Sequence, residues 1–164
     1  MSPVDLPIRR RTVLTTTGTV LGGVAATNTV SARPRNFNLH LTSNAHDEVD
    51  TNAQGQANFQ LRDGELNFKL IVANIQDVSM AHIHLEEVAG PVSVWLHDFD
   101  TGAPALIEGR VNGVLSRGTI TDEDVAGPID TVDDLVDEID DANAWVNVHT
   151  EAFPAGEIGG RIRG

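Results

Sequence analysis

The stretch Ala57-Asn-Phe-Gln-Leu-Arg-Asp-Gly-Glu-Leu-Asn-Phe-Lys-Leu-Ile-Val72 holds two runs of alternating apolar and polar residues around Asp63-Gly64. A period of two is typical of strands with one buried face. Asp-Gly between such runs favours a type I′ turn, because glycine readily adopts a positive φ. The stretch therefore predicts an antiparallel hairpin. The register set by the turn pairs Leu61 with Leu66 and Phe59 with Phe68 on one face, and Arg62 with Glu65 on the other.

The rest of the chain after residue 36 contains further short strand candidates, separated by Gly, Pro, Asp and Asn. This pattern favours an all-β fold, an antiparallel Greek-key sandwich or barrel. No period of 20–50 residues repeats, so we expect one domain over residues 36–164. The candidates are Phe37–Thr42, Met80–Leu85, Val92–His97, Ile107–Val114, Ala144–Thr150 and Glu157–Arg163.

One short α-helix is predicted at about 131–141. Thr131 and Asp134 have the spacing of a capping box, and Asn143 is the expected left-handed residue after the helix. The remaining positions are mostly acidic, which is typical of a solvated face. A single apolar stripe runs along the helix through Val132, Leu135, Val136 and Ile139.

Composition excludes several classes of function. The chain has 164 residues, no cysteine and a net charge of −13. Without cysteine there is no disulfide, thiolate zinc site or iron–sulfur cluster. The acidity argues against nucleic acid and anionic membranes, because binding to phosphates requires Lys and Arg. The sequence lacks the G-x-S-x-G motif of serine hydrolases, the H-E-x-x-H motif of zinc proteases and the G-x-x-x-x-G-K phosphate loop. It also lacks an EF-hand, and Asp98 with Asp100 does not complete a calcium loop. No enzymatic activity is therefore expected.

The N-terminus resembles a twin-arginine export signal. Arg10-Arg11 precedes a mildly apolar run, Val13–Val30, which ends at the small residues Ser31-Ala32. Thr and Gly dilute the run too far for a membrane span. We expect residues 1–32 to be a signal peptide and the mature chain, without a membrane span, to be secreted or held at the cell surface.

The charge is divided between these two parts. Residues 1–32 hold three arginines and one aspartate, which leaves eight basic and 23 acidic residues in the other 132, a net of −15. Lys69 is the only lysine in the chain. An acidic, lysine-poor exterior resembles proteins of extreme halophiles, in which concentrated salt screens the self-repulsion.

Histidines fall on one face of the candidate strands. His82 and His84 stand two residues apart, which places them about 7 Å apart on the same face. With His149 from another strand they could bind one copper or zinc ion. The alternative is that these imidazoles only form hydrogen bonds to the backbone or to Asn147. Carboxylates that could assist a metal are Glu48, Glu86, Glu87 and Glu157.

A family resemblance rests on motifs in order along nearly the whole mature chain. Glu48-Val49 followed by Thr51, Ala53, Gly55 and Ala57 resembles the opening motif of the chordin-domain (CHRD) family. Further matches are Ala81-His82-Ile83-His84, Gly90-Pro91-Val92 and Val146-Asn147-Val148-His149-Thr150, and the pattern ends at Pro154-Ala155-Gly156-Glu157-Ile158. We call five of these positions the family-motif residues and expect them to belong to the site: Glu48, Asn147, Thr150, Gly156 and Glu157.

The resemblance implies an extracellular β domain with no reaction attached, and a structural or binding role toward an unknown protein or envelope component. The chain departs from the family pattern at Asp50, Ala142 and Trp145, and again at Gly159 and Arg161. A weaker resemblance is to copper/zinc superoxide dismutases. His82, His84 and His149 match three copper ligands of those enzymes, whereas the residues of their zinc loop have no counterpart.

Overall fold

A computed structural model describes residues 35–97 and 106–164. The signal peptide expected at 1–32 and the pair Asp98/Asp100 lie outside the described residues. The hairpin has the predicted turn and register. Asp63 and Gly64 have φ values of 55° and 84°, and Leu61 pairs with Leu66, Phe59 with Phe68 and Arg62 with Glu65.

The described residues form seven antiparallel strands and one short α-helix. The helix α1 covers Val132–Asp140. The strands are β1 (Arg35–Leu41), β2 (Gln54–Arg62), β3 (Glu65–Leu85), β4 (Val92–His97), β5 (Ile107–Ile120), β6 (Ala144–Thr150) and β7 (Ile158–Arg161).

A nearly closed barrel results from this pairing. The strands follow the order β1-β2-β3-β6-β7, and β4 and β5 each pair with β3. An isolated bridge between Thr42 and Gly159, with N–H···O distances of 3.0 Å in both directions, joins the end of β1 to β7. The predicted all-β fold is therefore confirmed, in its barrel form.

Strand β3 is the main difference from the strand predictions, which treated Leu66–Val72 and Met80–Leu85 as separate. The structure contains one strand of 21 residues. Its first part pairs with β2 and β5 and its last part with β4 and β6. Asn74 and Asp77 have φ values of 57° and 52°, and the register with β5 shifts around them. Bulges at these two residues bend the strand without ending it.

The helix has the predicted bounds and the predicted N-terminal cap, but the left-handed residue after it is not the one expected. The Thr131 side chain accepts a hydrogen bond from the Asp134 N–H, and the Asp134 carboxylate caps the N–H of Thr131. The left-handed residue is Ala142, with a φ of 59°, so the prediction for Asn143 is wrong by one position. The Asn143 N–H instead bonds to the carbonyl of Glu138, which completes the helix end.

The two faces of the strands have different surroundings. Inward-facing aliphatic side chains such as Ile83, Val146 and Ile158 are fully buried in one core, against which the apolar stripe of α1 also packs. The opposite face of β3, β6 and β7 lies on the outside of the barrel, where loops 43–48, 86–91 and 151–157 contact it. We call this the outer face. His82, His84 and His149 lie on this face.

Candidate metal centre

The outer face brings three predicted ligands together. In the strand register His82 pairs with Asn147, His84 with Trp145, and Met80 with His149, so all three imidazoles project from one side of β3 and β6. One ring nitrogen from each of His82, His84 and His149 lies within 4.8 Å of the other two. The three side chains are only 3–6% exposed although they stand outside the barrel core. We call these residues the histidine triad.

Backbone carbonyls determine the tautomers of two triad members. Nδ1 of His84 is 2.6 Å from the carbonyl oxygen of Gly90, and Nδ1 of His149 is 2.9 Å from that of Pro154. A carbonyl oxygen can only accept, so Nδ1 of each ring carries the proton. Nε2 of each ring is then left with a free electron pair. A backbone carbonyl that accepts from one ring nitrogen and so orients the other is typical of metal-binding histidines.

The third member of the triad, His82, lies close to both His84 and His149. Its Nδ1 is 3.3 Å from Nε2 of His84, and its ring centre is 4.7 Å from that of His149. Two imidazole nitrogens bound to one tetrahedral ion at about 2.0–2.1 Å would stand about 3.3–3.4 Å apart. The observed spacing of His82 and His84 therefore fits two ligands of one ion as well as it fits a hydrogen bond.

Unpartnered buried atoms separate the two interpretations of the triad. Within the described residues, Nε2 of His82 and Nε2 of His149 have no hydrogen-bond partner. The purely structural interpretation leaves Nε2 of His149 buried and unpaired. An ion bound by Nδ1 of His82 and by Nε2 of His84 and His149 would pair it, whereas Nε2 of His82 is unpaired in both interpretations. Buried polar groups without a partner are rare and commonly indicate an ion or an ordered water. The donor set of neutral imidazole nitrogens is one that copper and zinc prefer.

Buried polar atoms without a hydrogen-bond partner are concentrated on the outer face. Seven buried side-chain polar atoms lack a partner in the described part of the chain, and five of them lie on or against this face. Besides the two triad nitrogens they are Nε2 of His46, Oδ1 of Asn147 and Nε1 of Trp145. The other two are Oγ of Ser93 and Oγ of Ser116, so most of the unpartnered buried polar atoms of the described residues lie on or against the outer face.

Burial keeps the triad neutral. The pKa of His82 falls to about 3, mainly because its ring is buried and also because His149 and His84 are adjacent. Burial likewise lowers the pKa of His84 and of His149, although the carbonyls of Gly90 and Pro154 partly offset the effect. A transition metal binds the neutral form of imidazole, so the triad is ready to bind without first losing protons.

Trp95 of β4 forms one wall of the site. Its ring meets that of His82 edge-on, with the centres 4.1 Å apart, and 37% of the side chain is exposed. Trp145 stands on the other side of the face, with the Arg161 guanidinium 4.4 Å above its ring. The alternation of residues along a strand could not show that Trp95 packs against a triad member.

The family-motif residues build the support around the triad. Asn147 is fully buried, and its amide donates to the carbonyls of Val88 and Ala155, which ties two of the covering loops to β6. Gly156 has a φ of 125°. A Cβ there would lie 2.3 Å from Asn147 Oδ1 and 2.4 Å from His46 Cε1, so a side chain would displace both residues.

Glu157 holds the loop that orients His149. Its carboxylate accepts hydrogen bonds from Thr51 Oγ1 at 2.7 Å and from Thr150 Oγ1 at 2.8 Å. Thr150 Oγ1 in turn accepts from the N–H of Phe153, next to the Pro154 carbonyl that bonds to His149. Glu157 and Thr150 are thus placed to fix the loop, and Glu157 acts on the triad only through it.

The other candidate carboxylates do not reach the triad. Glu48, Glu86 and Glu87 are exposed, and the only group in the described residues with metal-binding spacing is the triad itself. Glu48 and Glu86 adopt φ values of 63° and 70°, which assigns both to turns. Their contribution is to loop geometry rather than to ligation.

These observations define a nearly closed antiparallel β-barrel domain with a buried histidine triad on its outer face. The sequence matches the family model of the CHRD domain over residues 37–162, and the chain belongs to this family. No curated protein and no solved structure matches the chain. Among residues 35–97 and 106–164, no helix has the length and apolar character needed to cross a membrane.

Proposed function

We propose that this CHRD domain is an exported binding protein that holds one transition-metal ion, copper or zinc, through His82, His84 and His149. The observation that carries the proposal is that one ring nitrogen from each of these three buried histidines lies within 4.8 Å of the other two, and that Nε2 of His149 has no hydrogen-bond partner in the described part of the chain. Copper would bring one-electron chemistry to the site, and zinc would serve as a fixed cross-link. The sequence supplies no catalytic motif, so we propose binding rather than catalysis.

Metal titration of the untagged domain tests this proposal. We expect one equivalent of Cu²⁺ or Zn²⁺ to bind in equilibrium dialysis at high salt. His82→Ala and His149→Ala should each weaken binding at least 100-fold, because each removes one of three ligands. His40→Ala is the matched control, since His40 is exposed on β1 and lies outside the triad. Equal binding by all four proteins would refute the site.

Export is the second part of the proposal and rests on the N-terminal sequence. Arg10-Arg11 ahead of a weakly apolar run supports transport by the twin-arginine route, which moves folded proteins. Export after folding would allow a metal to be bound before the domain leaves the cytoplasm.

A double substitution tests the route. Arg10→Lys with Arg11→Lys keeps the positive charge but removes the arginine pair, so we expect the protein to accumulate inside the cell. Arg9→Lys is the control and should leave export unchanged. Cell fractionation measures the outcome, and normal secretion of the double variant would contradict the twin-arginine route while leaving the metal site untouched.

A further inference from the structure

A fourth imidazole, that of His46, lies on the same outer face as the triad. His46 follows the 3-10 turn Ser43–Ala45, in the loop that leaves β1, and its N–H bonds to the carbonyl of Ser43 at 2.9 Å. The Thr42–Gly159 bridge directs this loop across the outer face of β7. The sequence pattern gives His46 no role, because the residue lies in no predicted strand.

Two glycines bring His46 close to the sheet. A Cβ on Gly159 would lie 3.2 Å from His46 Nε2, and a Cβ on Gly156 would lie 2.4 Å from His46 Cε1. Gly159 pairs with Asn147, and Asn147 pairs with His82. The imidazole of His46 therefore lies over β7, with Asn147 on the next strand and His82 on the strand beyond.

The ring of His46 has the same chemical state as the triad. Burial lowers its pKa, a hydrogen bond between the ring and the Asn147 side chain partly offsets this, and His84 lowers it further. Nε2 of His46 is buried and has no hydrogen-bond partner within the described residues.

The triad supplies three ligands, and a tetrahedral ion has four positions. No carboxylate of the described residues belongs to the group with ligand spacing. We propose that Nε2 of His46 is the fourth ligand, which closes the coordination sphere. This inference rests on the proposed function. Because His46 lies outside the group whose donor atoms are within 4.8 Å of one another, ion binding must draw loop 43–48 toward β3.

A four-imidazole sphere has consequences that a three-imidazole site lacks. All positions belong to the protein, so small external ligands cannot reach the ion, as in closed structural sites. Without His46 the fourth position opens to water or to an added anion. His46 thus determines whether the centre is closed or reactive.

Electron paramagnetic resonance of the Cu²⁺-loaded domain tests the proposal, with and without azide. For wild type and for the His40→Ala control, we expect a spectrum with four nitrogen ligands that azide does not change. His46→Ala and His46→Gln should bind copper about 10-fold to 100-fold more weakly. Their spectra should change on addition of azide, and added imidazole should restore the wild-type spectrum of His46→Ala.

Each alternative result has a distinct meaning. Unchanged affinity and an unchanged, azide-insensitive spectrum in both His46 variants would overturn the role of His46 while the triad stands. A wild-type spectrum that already responds to azide would do the same. Absence of copper binding by wild-type protein would overturn the triad and this inference together. Circular dichroism of the two variants confirms that they are folded before the spectra are compared.

Discussion

Gly156→Ala is expected to lower the free energy of unfolding by about 4 kcal/mol. An L-residue at a φ of 125° costs on the order of 1–3 kcal/mol, and forcing atoms into a packed region adds about 1–3 kcal/mol. The added methyl would meet Asn147 Oδ1 at 2.3 Å and His46 Cε1 at 2.4 Å. Since domains are stable by only about 5–15 kcal/mol, this change is severe. Urea unfolding measures it.

Gly113→Ala is a closely matched control for this prediction. Gly113 has a φ of 127°, and a Cβ there would have nothing within 4 Å. Its substitution therefore introduces the backbone cost alone, about 2 kcal/mol. The difference between the two variants isolates the crowding around Asn147 and His46. Equal losses of stability would show that the close approach at Gly156 is unimportant.

The metal-free domain is expected to become less stable in mild acid because of His82. The folded pKa of His82 is about 3, whereas that of a free histidine is about 6.5. Between these values the unfolded chain binds a proton that the folded domain does not, so stability falls as pH falls through this window. From pH 7 to pH 5 the loss from His82 alone is about 2 kcal/mol.

Comparison with His82→Gln tests this effect. Glutamine does not titrate, so we expect the stability of the variant to fall less between pH 7 and pH 5, by about 2 kcal/mol, than that of wild type. Urea unfolding with a chelator present, at fixed high salt, gives both values. Parallel pH profiles for the two proteins would contradict the buried, neutral state of His82. Added metal should oppose the acid loss in wild type, because the ion binds the folded state.

Local sequence signals predicted the elements whose stability is local. The Asp63-Gly64 turn, the strands Val92–His97 and Ala144–Thr150, and the Thr131 cap depend on spacing within a few residues, and the structure confirms them. The strand break expected before Met80 was wrong because Asn74 and Asp77 form bulges, which residue type alone does not distinguish from turns.

The site likewise combines features that local sequence signals predict with features that depend on contacts between distant parts of the chain. The face shared by His82 and His84 follows from the period of a strand, and His149 followed from the same alternation in β6. The burial of the triad does not follow, because it depends on three loops that cover the outside of the barrel. His46 and Gly156 owe their positions to contacts across about 110 residues of sequence, for which one sequence carries no local signal.

A crystal of the untagged domain grown with zinc or copper and measured at the absorption edge of that metal tests the central claim most directly. The account predicts one dominant anomalous peak within about 2.0–2.2 Å of imidazole nitrogens from His82, His84 and His149. The account would be contradicted by dominant peaks elsewhere, at the acidic face of α1 or at exposed His40, with nothing between the three triad rings.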